Sequence, residues 1–182
     1  LYHLAAQGWT CNSAANRLRP RFGYQEHLAD ARAALTWAHD HADVHGGNTD
    51  TVVMAGSSAG GHLTALCALT QHEPGRPRVD TAISLYAYYG RYYGRDEYES
   101  PVSTALAMDA SKAPPFFITH GTHDAYVPVQ DARALRDHLG QGSHHEVWYA
   151  ELPGGQHGFD AYASWRFSAV IEGIDAFLEH RV

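Results

Sequence analysis

The sequence is poor in cysteine, in positive charge and in long apolar runs. Its two cysteines, Cys11 and Cys67, are far apart and lie in apolar contexts, so we expect two free buried thiols, with a bridge between them as the alternative. Thirteen lysines and arginines against 20 aspartates and glutamates give a formal net charge of -7, which argues against a nucleic-acid or anionic-membrane partner. No apolar run approaches the roughly 18 residues of a membrane span, and no basic-then-apolar leader opens the chain.

The sequence also lacks internal repeats, and strand-like and helix-like segments alternate along its 182 residues. Predicted helices cover 1–7, 25–45, 62–70, 129–139 and 161–180, and predicted strands cover 9–15, 51–55, 79–89, 113–121 and 146–152. This order predicts a three-layer α/β/α sandwich with a mainly parallel sheet, formed by a single domain over residues 1–182. The tyrosine- and arginine-rich segment 86–95 is interpreted as a loop that lines or covers a pocket.

A glycine-flanked serine stands between an apolar run and a helical pattern. Gly56, Ser58 and Gly60 form a G-x-S-x-G pattern, which places a serine on a tight strand-to-helix turn with its hydroxyl above the sheet. We expect both glycines to be required, because the strand and helix backbones pass close together at such a turn. The segment therefore predicts a nucleophilic serine.

Three polar residues follow three of the predicted strands. Ser58, Asp124 and His157 each lie just past a strand, where functional groups gather in a parallel sheet, and their order is that of an α/β-hydrolase triad. His157 would take the proton of the Ser58 hydroxyl, and Asp124 would fix the tautomer of His157. The amide of Ala59 would donate to the oxyanion.

Other residues could fill two of these positions. Asp131 and Asp160 are the alternatives for the acid, and His120, His123 and His62 are the alternatives for the base. His62 belongs to the helix after the serine, and we expect it to point away from the turn. His123 neighbours the acid and could line a pocket.

The 14 histidines raise the question of a metal site. His41 and His45 are four residues apart on a predicted helix, a spacing that can bind zinc when further ligands arrive. No matching carboxylate or cysteine pattern accompanies them, so a solvated helix end is favoured. We predict no metal ligand and no cofactor.

The segments around these residues resemble an α/β-hydrolase family, the hormone-sensitive-lipase-like esterases, and within it the actinobacterial carboxylesterases. The resemblance rests on LAAQGW (4–9), RLRP (17–20), the glycine pair 46–47, GSSAGGHL (56–63), PPFFITHGTHD (114–124) and ELPGGQHGFD (151–160). It implies Ser58 as nucleophile, Asp124 as acid, His157 as base and the Ala59 amide in the oxyanion hole.

The sequence departs from that esterase group in three places. The group carries an HGGG-type loop that supplies further oxyanion amides, and this chain has none. Ala15 and Asn16 stand where the group has Asn-Tyr, and the segment between Tyr89 and Pro114 is shorter than usual. The resemblance thus implies an N-terminally incomplete chain, the C-terminal two-thirds of the fold without its first strands.

We therefore expect a serine carboxylesterase that hydrolyses small or medium acyl esters through an acyl-enzyme. A serine peptidase or thioesterase of the same fold is the first alternative, because the triad does not encode the leaving group. A truncated, non-catalytic domain that lacks the oxyanion loop is the second. A metal-dependent hydrolase is the weakest.

Overall fold

Strands and helices alternate in the computed structural model, which describes residues 1–90 and 105–181. The helices are α1 (Tyr2–Ala6), α2 (Tyr24–Asp40), α3 (Ala59–Thr70), α4 (Val129–Gly142) and α5 (Trp165–Glu179), and the strands are β1 (Val53–Ser57), β2 (Thr81–Leu85), β3 (Phe116–Gly121) and β4 (Val147–Leu152). Short 3-10 turns cover Asp43–His45 and Ala105–Ala107. None of the helices in the two described ranges has the length and apolar character of a membrane span.

The four strands form one parallel sheet in the order β1-β2-β3-β4. Ser57 pairs with Leu85 at the end of β1 and β2, and Gly121 pairs with Leu152 at the end of β3 and β4. The carboxyl ends of the strands consequently share one edge of the sheet. The chain segments that follow β1, β3 and β4 all begin at this edge.

Apolar side chains cover both faces of the sheet. Alternate residues of a strand point to opposite faces, and Phe116 and Ile118 lie in one core cluster whereas Phe117 lies in the other. The first cluster includes buried residues of α2, α3 and α4, and the second includes those of α5 together with partly buried Leu4 and Trp9 near α1. The predicted three-layer α/β/α arrangement is therefore confirmed.

Both cysteines are free thiols in the structure. Cys67 is buried in the first core cluster, and its burial raises the pKa of the thiol to about 11. Cys11 is only half-buried. The expectation of two unpaired thiols is confirmed, but full burial holds for Cys67 alone.

The strand predicted over residues 9–15 is wrong. No strand covers these residues, and most of their side chains are exposed. The side chain of Trp9 packs against the second core cluster, and Thr10 lies against Gly47. A β-strand needs a neighbouring strand for its backbone hydrogen bonds, and this segment pairs with none in residues 1–90 and 105–181.

Three other predicted boundaries shift by four or five residues. Helix α2 ends at Asp40 rather than at residue 45, and Gly46, with φ of 75°, closes the 3-10 turn after it. Strand β2 ends at Leu85 rather than at residue 89, because Tyr86 takes a φ of 38° that extended backbone does not allow. Helix α5 begins at Trp165, and the Ser164 hydroxyl oxygen accepts its cap hydrogen bond. The second half of the predicted loop 86–95, from residue 91 onward, lies outside the described residues.

Candidate active site

The turn between β1 and α3 holds Ser58 in a strained backbone conformation. Ser58 precedes the first residue of α3 and has φ of 52° and ψ of -119°. A positive φ is uncommon for a residue with a side chain, and such strain clusters at functional sites. The turn is fixed on both sides: the Ser58 amide donates to the Leu85 carbonyl at 2.9 Å, and the His62 amide donates to the Ser58 carbonyl at 3.1 Å.

The structure leaves no room for a side chain at one of the two predicted motif glycines, Gly56, but leaves room at the other, Gly60. A Cβ on Gly56 would lie 2.3 Å from the carbonyl carbon and oxygen of Gly60, so the strand and helix backbones do pass close together. A Cβ on Gly60 would have no atom within 4 Å, so the expected steric need for glycine there is wrong. Gly61 carries it instead, since its Cβ would lie 2.7 Å from both Ser84 Oγ and Ala87 Cβ.

The structure brings Ser58, Asp124 and His157 into one chain of hydrogen bonds. His157 Nδ1 lies 2.8 Å from Asp124 Oδ2, and His157 Nε2 lies 2.8 Å from Ser58 Oγ. A carboxylate only accepts hydrogen bonds, so Nδ1 carries the proton and Nε2 is free to accept the serine hydroxyl. The Asp124 side chain is fully buried, whereas that of His157 is 19% exposed.

The carboxylate of Asp124 accepts two amides of its own loop and lies close to a histidine of β3. Its Oδ1 accepts the amides of Tyr126 and Val127, both at 2.8 Å. Its Oδ2, besides facing His157, lies 3.2 Å from Nε2 of His120. Four nitrogen atoms therefore surround one buried carboxylate and set its orientation.

Backbone contacts hold the acid loop and the histidine loop together. The Thr122 amide donates to the Leu152 carbonyl at 3.1 Å, and the His123 amide donates to the Gly155 carbonyl at 3.0 Å. A Cβ on Gly121 would lie 2.2 Å from the Gly155 carbonyl oxygen, so the backbones touch here. The separation between Asp124 and His157 is thus set by main-chain contacts.

Two tyrosine rings flank His157. The Tyr86 ring meets the imidazole edge to face with centroids 4.9 Å apart, and its hydroxyl donates to Asp160 Oδ1. Burial, and then the bond to Asp160, raise the pKa of Tyr86 to about 12. The Tyr126 ring centroid is 5.3 Å from that of His157, and its side chain is largely exposed. Sequence reasoning did not single out Tyr86, although it directly follows β2 at the same sheet edge as the other three residues.

The alternative acids make other contacts. Asp131, in the first turn of α4, accepts the amides of Tyr89 at 3.0 Å and Gly90 at 3.3 Å. Asp160 accepts the Tyr86 hydroxyl. The carboxylate hydrogen-bonded to His157 is that of Asp124.

The alternative bases are also accounted for. His62 Nδ1 lies 3.1 Å from the Tyr88 carbonyl, and burial lowers the pKa of His62 to about 4. His120 is buried against Asp124, and His123 Nδ1 lies 3.3 Å from the Thr122 hydroxyl. Within residues 1–90 and 105–181, no group of three or more histidine, cysteine, aspartate or glutamate side chains is placed to hold a metal ion.

The parallel sheet, the helices on its two faces and the serine turn define an α/β-hydrolase fold. The same fold is seen in the apo form of Thermogutta terrifontis esterase 2, which matches with a TM-score of 0.78 at 22% identity over 91% of this chain and 69% of that one. The family model BD-FAE matches residues 1–92, half of the chain. The chain belongs to the BD-FAE family.

Relatives from Mycobacterium tuberculosis match nearly the whole chain. The probable carboxylic ester hydrolase LipM is 35% identical over 97% of this chain and 48% of its own length. Esterase LipC is 33% identical over 98% of this chain and 52% of its own length. This chain therefore spans about half the length of these relatives.

Proposed function

We propose that this chain is a serine carboxylesterase that hydrolyses small or medium acyl esters through an acyl-enzyme, with residues 1–182 as its single α/β-hydrolase domain. The observation that carries the proposal is the hydrogen-bonded series Ser58–His157–Asp124, with both links at 2.8 Å. The names of LipM and LipC, an ester hydrolase and an esterase, support the choice of reaction.

Acylation follows from the tautomer of His157. Its Nε2 accepts the Ser58 proton as Oγ attacks the ester carbonyl, and the positive imidazolium is stabilised by the buried carboxylate of Asp124. The imidazolium then returns the proton to the leaving alcohol. In deacylation the same Nε2 takes a proton from water as the water oxygen attacks the acyl carbonyl. The imidazolium then returns this proton to Ser58 Oγ as the acyl–Oγ bond breaks and the acid leaves.

We assign the backbone amide of Ala59 as the hydrogen-bond donor to the oxyanion that forms in these steps. This amide opens helix α3, and the first amides of a helix have no carbonyl partner within the helix. The positive end of the helix dipole favours negative charge at the same position. The sequence carries no HGGG-type loop to supply further donors, and one lost oxyanion donor costs about 10² to 10³-fold in kcat, so we expect slow turnover by this chain.

Hydrolysis of p-nitrophenyl acetate and butyrate by the 182-residue chain tests the proposal. Ser58→Ala removes the nucleophile and lowers kcat by at least about 10³-fold, whereas Ser13→Ala, in an exposed loop, leaves it unchanged. Turnover that survives Ser58→Ala would contradict the proposal.

The same preparation separates the competing functions. A peptidase would cleave an aminoacyl p-nitroanilide at a rate comparable to the ester, and a thioesterase would prefer the matching thioester. A non-catalytic domain would neither hydrolyse the esters nor react with a fluorophosphonate probe. Activity lost in a chelator would indicate a metal-dependent hydrolase.

A further inference from the structure

We propose that His120 is a positioning residue: its Nε2–H holds the Val127 carbonyl, and the Val127 amide in turn holds the Asp124 carboxylate in the orientation that His157 needs. The inference rests on the proposed function, since it concerns the same site. His120 lies on β3, and its Nε2 is 3.2 Å from Oδ2 of Asp124. It contacts neither Ser58 nor His157 by a hydrogen bond, so its effect acts through the carboxylate.

The hydrogen-bond partners of His120 fix its tautomer. Its Nε2 lies 2.9 Å from the Val127 carbonyl oxygen and 3.2 Å from Asp124 Oδ2. A carbonyl oxygen only accepts, so Nε2 carries the hydrogen and donates it to Val127. The histidine ring is rigid and its side chain is fully buried, which makes it a donor of fixed direction.

This donor is linked to Asp124 through the two hydrogen bonds of Val127. The Val127 amide donates to Asp124 Oδ1, and the Val127 carbonyl accepts from His120. His120 therefore ties strand β3 to the acid loop at Val127. A shift of Val127 would move the amide that binds Oδ1 of Asp124, and the carboxylate would then turn away from His157.

The surroundings keep His120 uncharged. Burial is the largest influence and lowers the pKa of His120, and the nearby His157 lowers it further. The hydrogen bond to the Val127 carbonyl and the negative charges of Asp124 and Asp131 raise it, but the net shift is downward. Nδ1 of His120 is buried without a hydrogen-bond partner among the described residues, so a second proton there would be unsatisfied. A neutral donor orients Asp124 without competing with the His157 imidazolium for its charge.

Three variants of His120 test the proposal. His120→Gln keeps an N–H donor near the place of Nε2, His120→Leu removes it, and His120→Asn keeps an amide that is too short to reach the Val127 carbonyl. Thr119→Val is the matched control, because the Thr119 hydroxyl is a buried neighbour on the same strand with no partner in residues 1–90 and 105–181. All four are compared with the unmodified 182-residue chain.

The first readout is ester hydrolysis. In metal sites, loss of a residue that orients a functional ligand typically costs about 10- to 100-fold in affinity or activity, and by analogy we expect kcat to fall by about this factor in the Leu and Asn variants. KM is expected to stay within about twofold, and Gln to restore most of kcat. Thr119→Val is expected to keep the rate of the unmodified chain.

The second readout is the ¹H resonance of the His157 Nδ1–H, assigned by its loss in His157→Ala. We expect it to move or broaden in the Leu and Asn variants and to persist in the Gln variant. Folded Leu or Asn variants with normal kcat and an unmoved resonance would overturn the proposal. A Gln variant with a kcat as low as that of the Leu variant would also overturn the proposal. If the unmodified chain hydrolyses no ester, the proposed function fails, while the resonance still decides whether His120 positions the pair.

Discussion

Alanine substitutions at Gly56 and Gly60 should change the stability of the chain in opposite directions. The Cβ of Gly56→Ala falls 2.3 Å from the Gly60 carbonyl group and 2.8 Å from the Gly61 amide nitrogen, and main-chain atoms cannot rotate away. Overpacking typically costs about 1–3 kcal/mol, and a contact with backbone belongs at the upper end. Gly60→Ala meets no atom within 4 Å and lies in the first turn of α3, where alanine is favoured over glycine by about 0.4–1 kcal/mol.

Urea and thermal denaturation followed by circular dichroism measure both variants. For a chain of this size about 1 kcal/mol corresponds to roughly 2–4 °C, so we expect a Tm lower by about 6–12 °C for Gly56→Ala and higher by about 1–4 °C for Gly60→Ala. A Gly56→Ala chain as stable as the unmodified one would refute the close backbone approach. Equal losses in the two variants would refute the distinction between the glycines.

Three further predictions concern stability. Burial lowers the pKa of His62 to about 4 in the folded chain, whereas it is about 6.5 in the unfolded chain. Between these two pH values only the unfolded chain binds the proton, so the free energy of unfolding falls by about 3 kcal/mol as the pH drops from about 6.5 to about 4. Urea titrations should show this pH dependence reduced in His62→Asn, and an unchanged dependence would contradict it. Tyr86→Phe keeps the ring but loses the hydrogen bond to Asp160, and should cost about 1 kcal/mol, with no further loss on adding Asp160→Asn. Leu66→Ala, at a fully buried site, should cost about 2–5 kcal/mol, whereas Leu18→Ala, at an exposed one, should stay within about 0.5 kcal/mol.

The layered fold and the positions of Ser58, Asp124 and His157 at strand ends follow from local signals. Apolar runs mark β1 and β3, and periodic apolar positions mark α3 and α4, because burial against one sheet imposes these patterns. Chain order then predicts which strand ends carry polar residues. The 2.8 Å contacts among those residues depend on how β1, β3 and β4 lie beside one another, which the pattern alone does not provide.

The mistaken strand over residues 9–15 and the misjudged Gly60 share a cause. A strand depends on a neighbouring strand, and the steric demand at Gly61 comes from Ser84 and Ala87, which follow more than twenty residues later. Neither neighbour is visible in the local sequence. The G-x-S-x-G pattern predicts the close contact of β1 with α3 at Gly56. It does not predict the close contact at Gly61, where α3 packs against Ser84 of β2.

The contacts of Tyr86 and His120 could not be predicted for a similar reason. Tyr86 meets His157 only because the loop after β4 folds back over the end of β2. His120 appeared in the sequence as a possible base, and only the distances to Val127 and Asp124 distinguish a positioning role from that one. Both residues act through tertiary contacts between distant segments.

Mass spectrometry of the chain after reaction with a fluorophosphonate ester tests the central claim most directly. The account predicts one covalent adduct per chain, located by peptide mapping at Ser58, absent in Ser58→Ala and strongly slowed in His157→Ala. An adduct at another serine, or equal labelling of the chain and its Ser58→Ala variant, would contradict the assignment of Ser58 as the nucleophile activated by His157.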